Sequence, residues 1–157
     1  MKSGGMLLVV RDMKASLDFY REILGLEIVH DFGANVVLTG GLSLQTLETW
    51  ATFLGRDSRD IAFGGCDAEL YYEAEDFDAF LKALKEHSNA ELVRPPLEHG
   101  WGQRVVRLYD PGRHVIEVGE SMAMVCRRFR DSGLTEDGIA RRMDVSVEYV
   151  REQLKQR

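Results

Sequence analysis

The sequence contains only two cysteines, Cys66 and Cys126, and they lie far apart. No metal-binding or redox spacing can be built from such a pair, and two reduced thiols are what a cytoplasmic protein is expected to carry. Long apolar runs are missing as well. Nothing approaches the roughly 20 apolar residues of a membrane helix, and the short run over residues 6–10 stops at Arg11 and Asp12. The start of the chain has no basic segment, long apolar stretch and small-residue cleavage site in series, so no signal peptide is expected. Positive charge is in deficit: a net charge of −6 argues against broad nucleic-acid binding. Together these absences predict a cytoplasmic chain with no membrane partner.

What remains is ordinary for a globular protein. The 157 residues are 45% hydrophobic and 29% charged, enough for a compact domain with a real core. The charge is uneven. From Ser121 onward there are eight basic and six acidic residues, a surplus of +2, so the preceding part carries −8. The last quarter of the chain is compositionally a separate piece.

Periodicity divides the earlier part into two similar runs. Residues 6–11 read as a strand. Residues 13–24 switch to helical period, with Met13, Leu17, Tyr20 and Leu24 on one face, Asp12 as N-cap and Gly25 as the stop. Residues 27–31, 35–39 and 42–47 read as three further strands separated by glycine-containing turns. The order then recurs: a strand at 69–74, a helix at 76–86 bearing Phe77, Phe80, Leu81 and Leu84, a strand at 91–94 closed by Pro95 and Pro96, then strands at 103–109 and 114–119. Superimposing Asp12 on Asp76 gives an offset of 64 residues and aligns the two strand–helix junctions. The expected fold is α+β: two tandem β-α-β-β-β modules over about 5–48 and 68–120, a linker at 49–67, and C-terminal helices over 121–157.

The residues Val10 to Tyr20, followed by Leu24-Gly25-Leu26, resemble the opening signature of the vicinal-oxygen-chelate superfamily, which includes glyoxalases, bleomycin-resistance proteins and extradiol dioxygenases. Leu108 to Glu117 resembles its closing signature, and Trp101-Gly102 ahead of that strand also fits. The resemblance covers about residues 5–120. It is specific for fold and weakly informative for activity, since this superfold hosts many chemistries. It implies that each module curls into half of a cup, and that metal ligands project from the first and last strands of each.

Strand alternation locates the matching positions. In the first strand Leu7, Val9 and Gly5 face the cup; in the first strand of the second module Glu69, Tyr71 and Glu73 do; in the last strand Val115, Glu117 and Gly119 do. The ligand positions that the resemblance implies become Gly5, Gln45, Glu69 and Glu117. Gly5 offers no side chain, and none of the four histidines falls on a ligand position. The remnant is one amide and two carboxylates, Gln45, Glu69 and Glu117. An oxygen-only set suits Mg²⁺, Mn²⁺ or Ca²⁺ better than Zn²⁺ or Ni²⁺. The alternative is that the metal is lost and the carboxylates serve another purpose. Two carboxylates held together must bind a metal, share a proton or meet a basic group.

Further candidates follow from the same alternation. Val105, Arg107 and Tyr109 share a face, and Val105, Arg107 and Trp101 match ligand-contacting positions in fosfomycin-resistance relatives. Trp101 and Tyr71 with Arg107 would form an aromatic wall with one fixed cation, suited to a flat or anionic small molecule, and Glu73 on the cup face is a further ligand-binding candidate. The alternative is that Trp101 packs at a loop end and Arg107 is ion-paired. His30, His87, His99 and His114 are expected at the surface. The Asp110-Pro111-Gly112-Arg113 turn departs from the more usual Asp-Pro-Asp-Gly, with Gly112 expected to supply the permissive backbone.

The tail has its own pattern. Residues 122–130 read as a helix. Leu134 to Arg151 resembles a helix-turn-helix, with Thr135 as cap, Ala140 at the crossing, Val145 in the turn and Val150 on the buried face of the second helix. DNA contact through that second helix is one reading. Against it, the helix opens with Val147-Glu148-Tyr149 and the surplus is only +2, less than phosphate affinity needs. The favoured reading is a helical hairpin packed on its own domain or on a dimer partner. Three functional classes follow. The first is a small-molecule-binding homodimer with a degenerate metal site. The second is a divalent-cation-dependent lyase, isomerase or thiol transferase in which Glu117 and Glu69 are catalytic. The third is a ligand-sensing regulator.

Overall fold

A computed structural model describes residues 1–2, 4–87 and 90–156. The chain divides into two compact units, one comprising Met1–Ala68 with Tyr109–Val115 and the other Glu69–Leu108 with Ile116–Arg157. No helix among the described residues is long and apolar enough to cross a membrane.

The first unit starts with strand β1 (Met6–Val10), helix α1 (Met13–Leu24) and strands β2 (Ile28–Asp31), β3 (Asn35–Leu38) and β4 (Leu42–Thr46). The caps of α1 fall where the sequence places them. The Asp12 carboxylate accepts from the Ala15 amide at 2.9 Å, and Gly25 takes a left-handed conformation, φ 66°, that ends the helix. The sheet order is β1-β4-β3-β2, with β1 parallel to β4 and the other two pairs antiparallel. Val10, Val36, Leu38, Leu42 and Leu44 are buried with Tyr20 of α1 as this unit's core.

Residues 49–67 are not a plain linker. Helix α2 (Leu47–Leu54) follows β4 directly and ends at Gly55, again left-handed. The apolar residues Leu47, Trp50, Ala51 and Leu54 are at helical spacing, and that signal was masked by the strand ending just before it.

The second unit repeats the order: β5 (Glu69–Ala74), α3 (Phe77–Glu86), β6 (Glu91–Glu98), β7 (Arg104–Tyr109) and β8 (Val115–Glu120), in sheet order β5-β8-β7-β6. Strand β6 continues through Pro95 and Pro96, where the sequence was expected to stop it. The reason is its place in the sheet. As the edge strand it leaves one side unpaired, so of two consecutive prolines at least one has its missing N–H on the open side, where no ladder bond is lost.

Three helices close the chain: α4 (Met122–Asp131), α5 (Glu136–Met143) and α6 (Val147–Lys155). Ser121, Thr135 and Ser146 cap them through side-chain oxygens, and Asp144 makes the tight α5–α6 turn at φ 56°. Val125, Cys126, Phe129, Ile139, Ala140, Met143 and Val150 pack together as a core for these helices. Residues 136–155 thus hold two helices joined by a tight turn, and α4 shares their core.

Candidate functional site

Alternation along β5, β7 and β8 sets one face of the second sheet, and the contacts confirm the register. Arg107 of β7 donates from Nε to the Glu69 carboxylate of β5 at 2.9 Å and pairs through its terminal nitrogen with Glu117 of β8. Gln103 of β7 donates to the Tyr71 hydroxyl at 2.8 Å, and Tyr71 donates to Glu73 at 2.9 Å. Gly119 completes the face: a Cβ there would lie 2.7 Å from the Gln103 amide nitrogen and 3.2 Å from the Tyr71 ring. The lack of a side chain at Gly119 is what lets Tyr71 and Gln103 meet above β8.

The electrostatics centre on Glu117. Its side chain is 8% exposed, and Oε2 makes no aligned hydrogen bond among the described residues, so its compensation is the charge contact with Arg107. Burial raises its carboxyl above the ordinary range; Arg107 pulls it down and Glu69 pushes it up. Tyr71 is pushed up to about 12, first by burial, against the Gln103 hydrogen bond and with the neighbouring Glu73. Glu69 and Glu117 thus share Arg107 as counter-charge, while Glu73 accepts from the Tyr71 hydroxyl.

The rim is aromatic. Tyr71 is 47% and Trp101 42% exposed. His99 stacks on Trp101 with centroids 4.2 Å apart and planes 12° from parallel, and the Trp101 indole N–H reaches Gln103 at 3.3 Å. Two residues here were missed by sequence reading. Gln103, nearly buried, ties Trp101 to Tyr71 and to the Glu120 carbonyl. It was legible as two residues before Val105 on the same face. His99 was assigned to open surface, yet its i,i+2 spacing to Trp101 on a turn permits the stack.

Val105 lies on this face but is 1% exposed, so it is packed floor rather than an open ligand contact. Gln45 lies in the first unit and is satisfied there. Its carbonyl oxygen accepts from Asn35 at 3.0 Å, and its amide donates to the Ala34 carbonyl at 3.0 Å and to Thr49. Gly5 has a structural cause. At φ +107° its would-be Cβ falls 2.3 Å from the Gly41 carbonyl oxygen, so no side chain fits that backbone.

The β7–β8 turn also differs from expectation. The left-handed residue is Arg113, φ 69°, not Gly112. The Arg113 guanidinium lies 3.8 Å from the Tyr109 ring centroid, a contact that offsets part of the backbone cost. Gly112 instead leaves room for the His114 ring, 2.8 Å from its would-be Cβ. His114 is not a free surface residue: its Nδ1 and backbone N–H both meet Asp110, which also accepts from the Tyr20 hydroxyl at 2.8 Å.

Residues 4–123 match the family described as Glyoxalase-like domain. The chain belongs to that family. A protein of unknown function from Agrobacterium tumefaciens str. C58 is 38% identical, with 78% of this chain and 95% of that chain covered and a TM-score of 0.71. A glyoxalase/bleomycin resistance protein/dioxygenase from Nocardioides is 19% identical at TM-score 0.62, covering 76% and 83%. A glyoxalase/bleomycin resistance protein/dioxygenase family enzyme from Burkholderia phytofirmans PsJN is 16% identical at TM-score 0.65, covering 76% and 98%. No curated protein matches the chain. The vicinal-oxygen-chelate superfamily is thereby shown, and residues 124–157 lie beyond the family match.

A metal centre is what such a glyoxalase-like fold implies, and its residues here do not fit one. Glu69 and Glu117 share a guanidinium, and Gln45 has its amide engaged inside the first unit. A divalent cation would have to displace Arg107 from the same oxygens, against like-charge repulsion. Among the described residues no group of three or more His, Cys, Asp or Glu stands ready to hold a metal ion.

Proposed function

We propose that this glyoxalase-like protein binds a flat, cationic small molecule on the β5–β8–β7 face of its second unit, and does so without a metal ion. The observation that carries the reading is Arg107, which already supplies the counter-charge to Glu69 and Glu117. With Glu73 included, three carboxylates face one guanidinium, so the face keeps a negative surplus. Tyr71, Trp101 and His99 border it with aromatic surface, the partner a desolvated cation prefers. This reverses the expectation of an anionic ligand, because the one fixed cation is spent internally. Flatness is retained from the aromatic wall.

Calorimetric titration with benzyltrimethylammonium, and with benzenesulfonate of matched shape, tests the reading. Saturable binding of the cation alone, weakened by Trp101→Ala, is expected. Preference for the sulfonate would refute it.

A further inference from the structure

The loop between β6 and β7 carries His99 and Trp101, and it is held at its two glycines by the C-terminal helices. The Arg142 guanidinium of α5 donates to the Gly100 carbonyl and lies 3.6 Å from Glu98. Arg128 of α4 donates to the Gly102 carbonyl and lies 3.6 Å from the same Glu98. Both arginines flank the Phe129 ring, at 5.4 and 5.1 Å from its centroid. Gly102 packs directly beneath that ring: at φ +94°, its would-be Cβ would fall 2.2 Å from Phe129 Cζ. The loop is itself a tight turn, with the His99 amide on the Gln103 carbonyl and the Gly102 amide on the His99 carbonyl, each at 2.8 Å. Two of its remaining carbonyls are therefore fixed by tail arginines, and its small residues Gly100 and Gly102 are where the tail grips.

Geometry of this kind transmits position. Arg128 is further anchored by Glu120, at 2.9 and 3.1 Å, and Glu120 also holds Arg104 of β7. Phe129 belongs to the core that α4, α5 and α6 share. The two arginines thus project from helices whose backbones are fixed by a shared core. From the loop the path runs through the His99–Trp101 stack to Gln103 and Tyr71.

We infer that the C-terminal helices α4 and α5 are a positioning element of the ligand face, with Arg142 and Arg128 clamping the loop that presents Trp101 and His99. What it positions rests on the ligand reading above; that it fixes the loop does not. The tail supplies what the family-matched part of the chain lacks, a support behind a glycine-flanked aromatic pair.

The test uses the full chain with Trp50→Phe, which leaves Trp101 as the sole tryptophan. Arg142→Met keeps the side-chain stem and removes the donors, on a residue exposed enough for the helices to stay folded. Acrylamide quenching of Trp101 is expected to rise roughly twofold as the loop loosens. Affinity for benzyltrimethylammonium is expected to fall about fivefold, and Arg142→Lys should restore part of both. Arg151→Ala, which breaks a tail ion pair to Glu136, should change neither. Unchanged quenching in Arg142→Met with an intact melting transition would overturn the clamp. If the unmodified chain binds no benzyltrimethylammonium, the ligand reading fails, and the quenching comparison still decides the clamp.

Discussion

Arg107 and Glu117 form an ion pair in which the carboxylate is 8% exposed and the guanidinium 25% exposed. Removing Arg107 leaves Glu117 without its counter-charge and frees Glu69, which is 38% exposed. For Arg107→Ala we expect a loss of roughly 2–4 kcal/mol, somewhat under the range for breaking a fully buried pair, measured by chemical denaturation. On the metal-free proposal, the melting temperature of this variant should rise on adding Mn²⁺ more than that of the native chain, because the two carboxylates are then free for a cation. A variant no more responsive to Mn²⁺ than the native chain would speak against Arg107 as the resident cation.

Gly5 is required by its backbone. Gly5→His places a Cβ into the Gly41 carbonyl at a φ that L residues rarely adopt. The expected cost is about 2–4 kcal/mol, from a strained conformation together with overpacking, and the added imidazole should not confer Zn²⁺ binding. Thermal melts with and without Zn²⁺ check both parts.

Tyr20 and Asp110 hold the first unit's turn. Tyr20 is fully buried and its hydroxyl donates to Asp110 at 2.8 Å. Tyr20→Phe should cost roughly 1–3 kcal/mol, read from the urea midpoint at unchanged m-value.

Glu120 sets an acid limb. Burial pushes its carboxyl up, but hydrogen bonds from Arg128 and Arg104 outweigh this and hold it below the usual carboxylate range. A depressed folded-state value means the stabilisation is fully present above the ordinary value of 4.5 and is lost as pH falls through the lowered one. Glu120→Gln should be less stable at neutral pH and lose less on acidification below that value. Parallel pH–stability curves for the two proteins would contradict it.

The fold was legible because its signals are local. Asp12 and Asp76 cap helices 64 residues apart, and Gly25 stops the first of them. Helix α2 was lost because a strand and a helix abut at Thr46–Leu47 without a turn residue between them. Strand β6 ran past its prolines because edge position, a property of the sheet, is invisible in one segment. At the site, alternation found Glu69, Tyr71, Arg107 and Glu117 on one face. It could not show that Arg107 bridges the two carboxylates, since that depends on side-chain reach across three strands. Nor could it reveal that Arg128 and Arg142, counted only as tail charge, turn back onto the loop of Trp101.

The metal-free proposal gives Arg107 the place of a metal ion beside Glu69 and Glu117. Elemental analysis of protein purified without chelator measures this directly. It should find well under one equivalent of Mg, Mn, Ca, Zn or Ni, with no change on Glu117→Ala. One equivalent of a divalent cation, lost when Glu117 is replaced, would contradict the account.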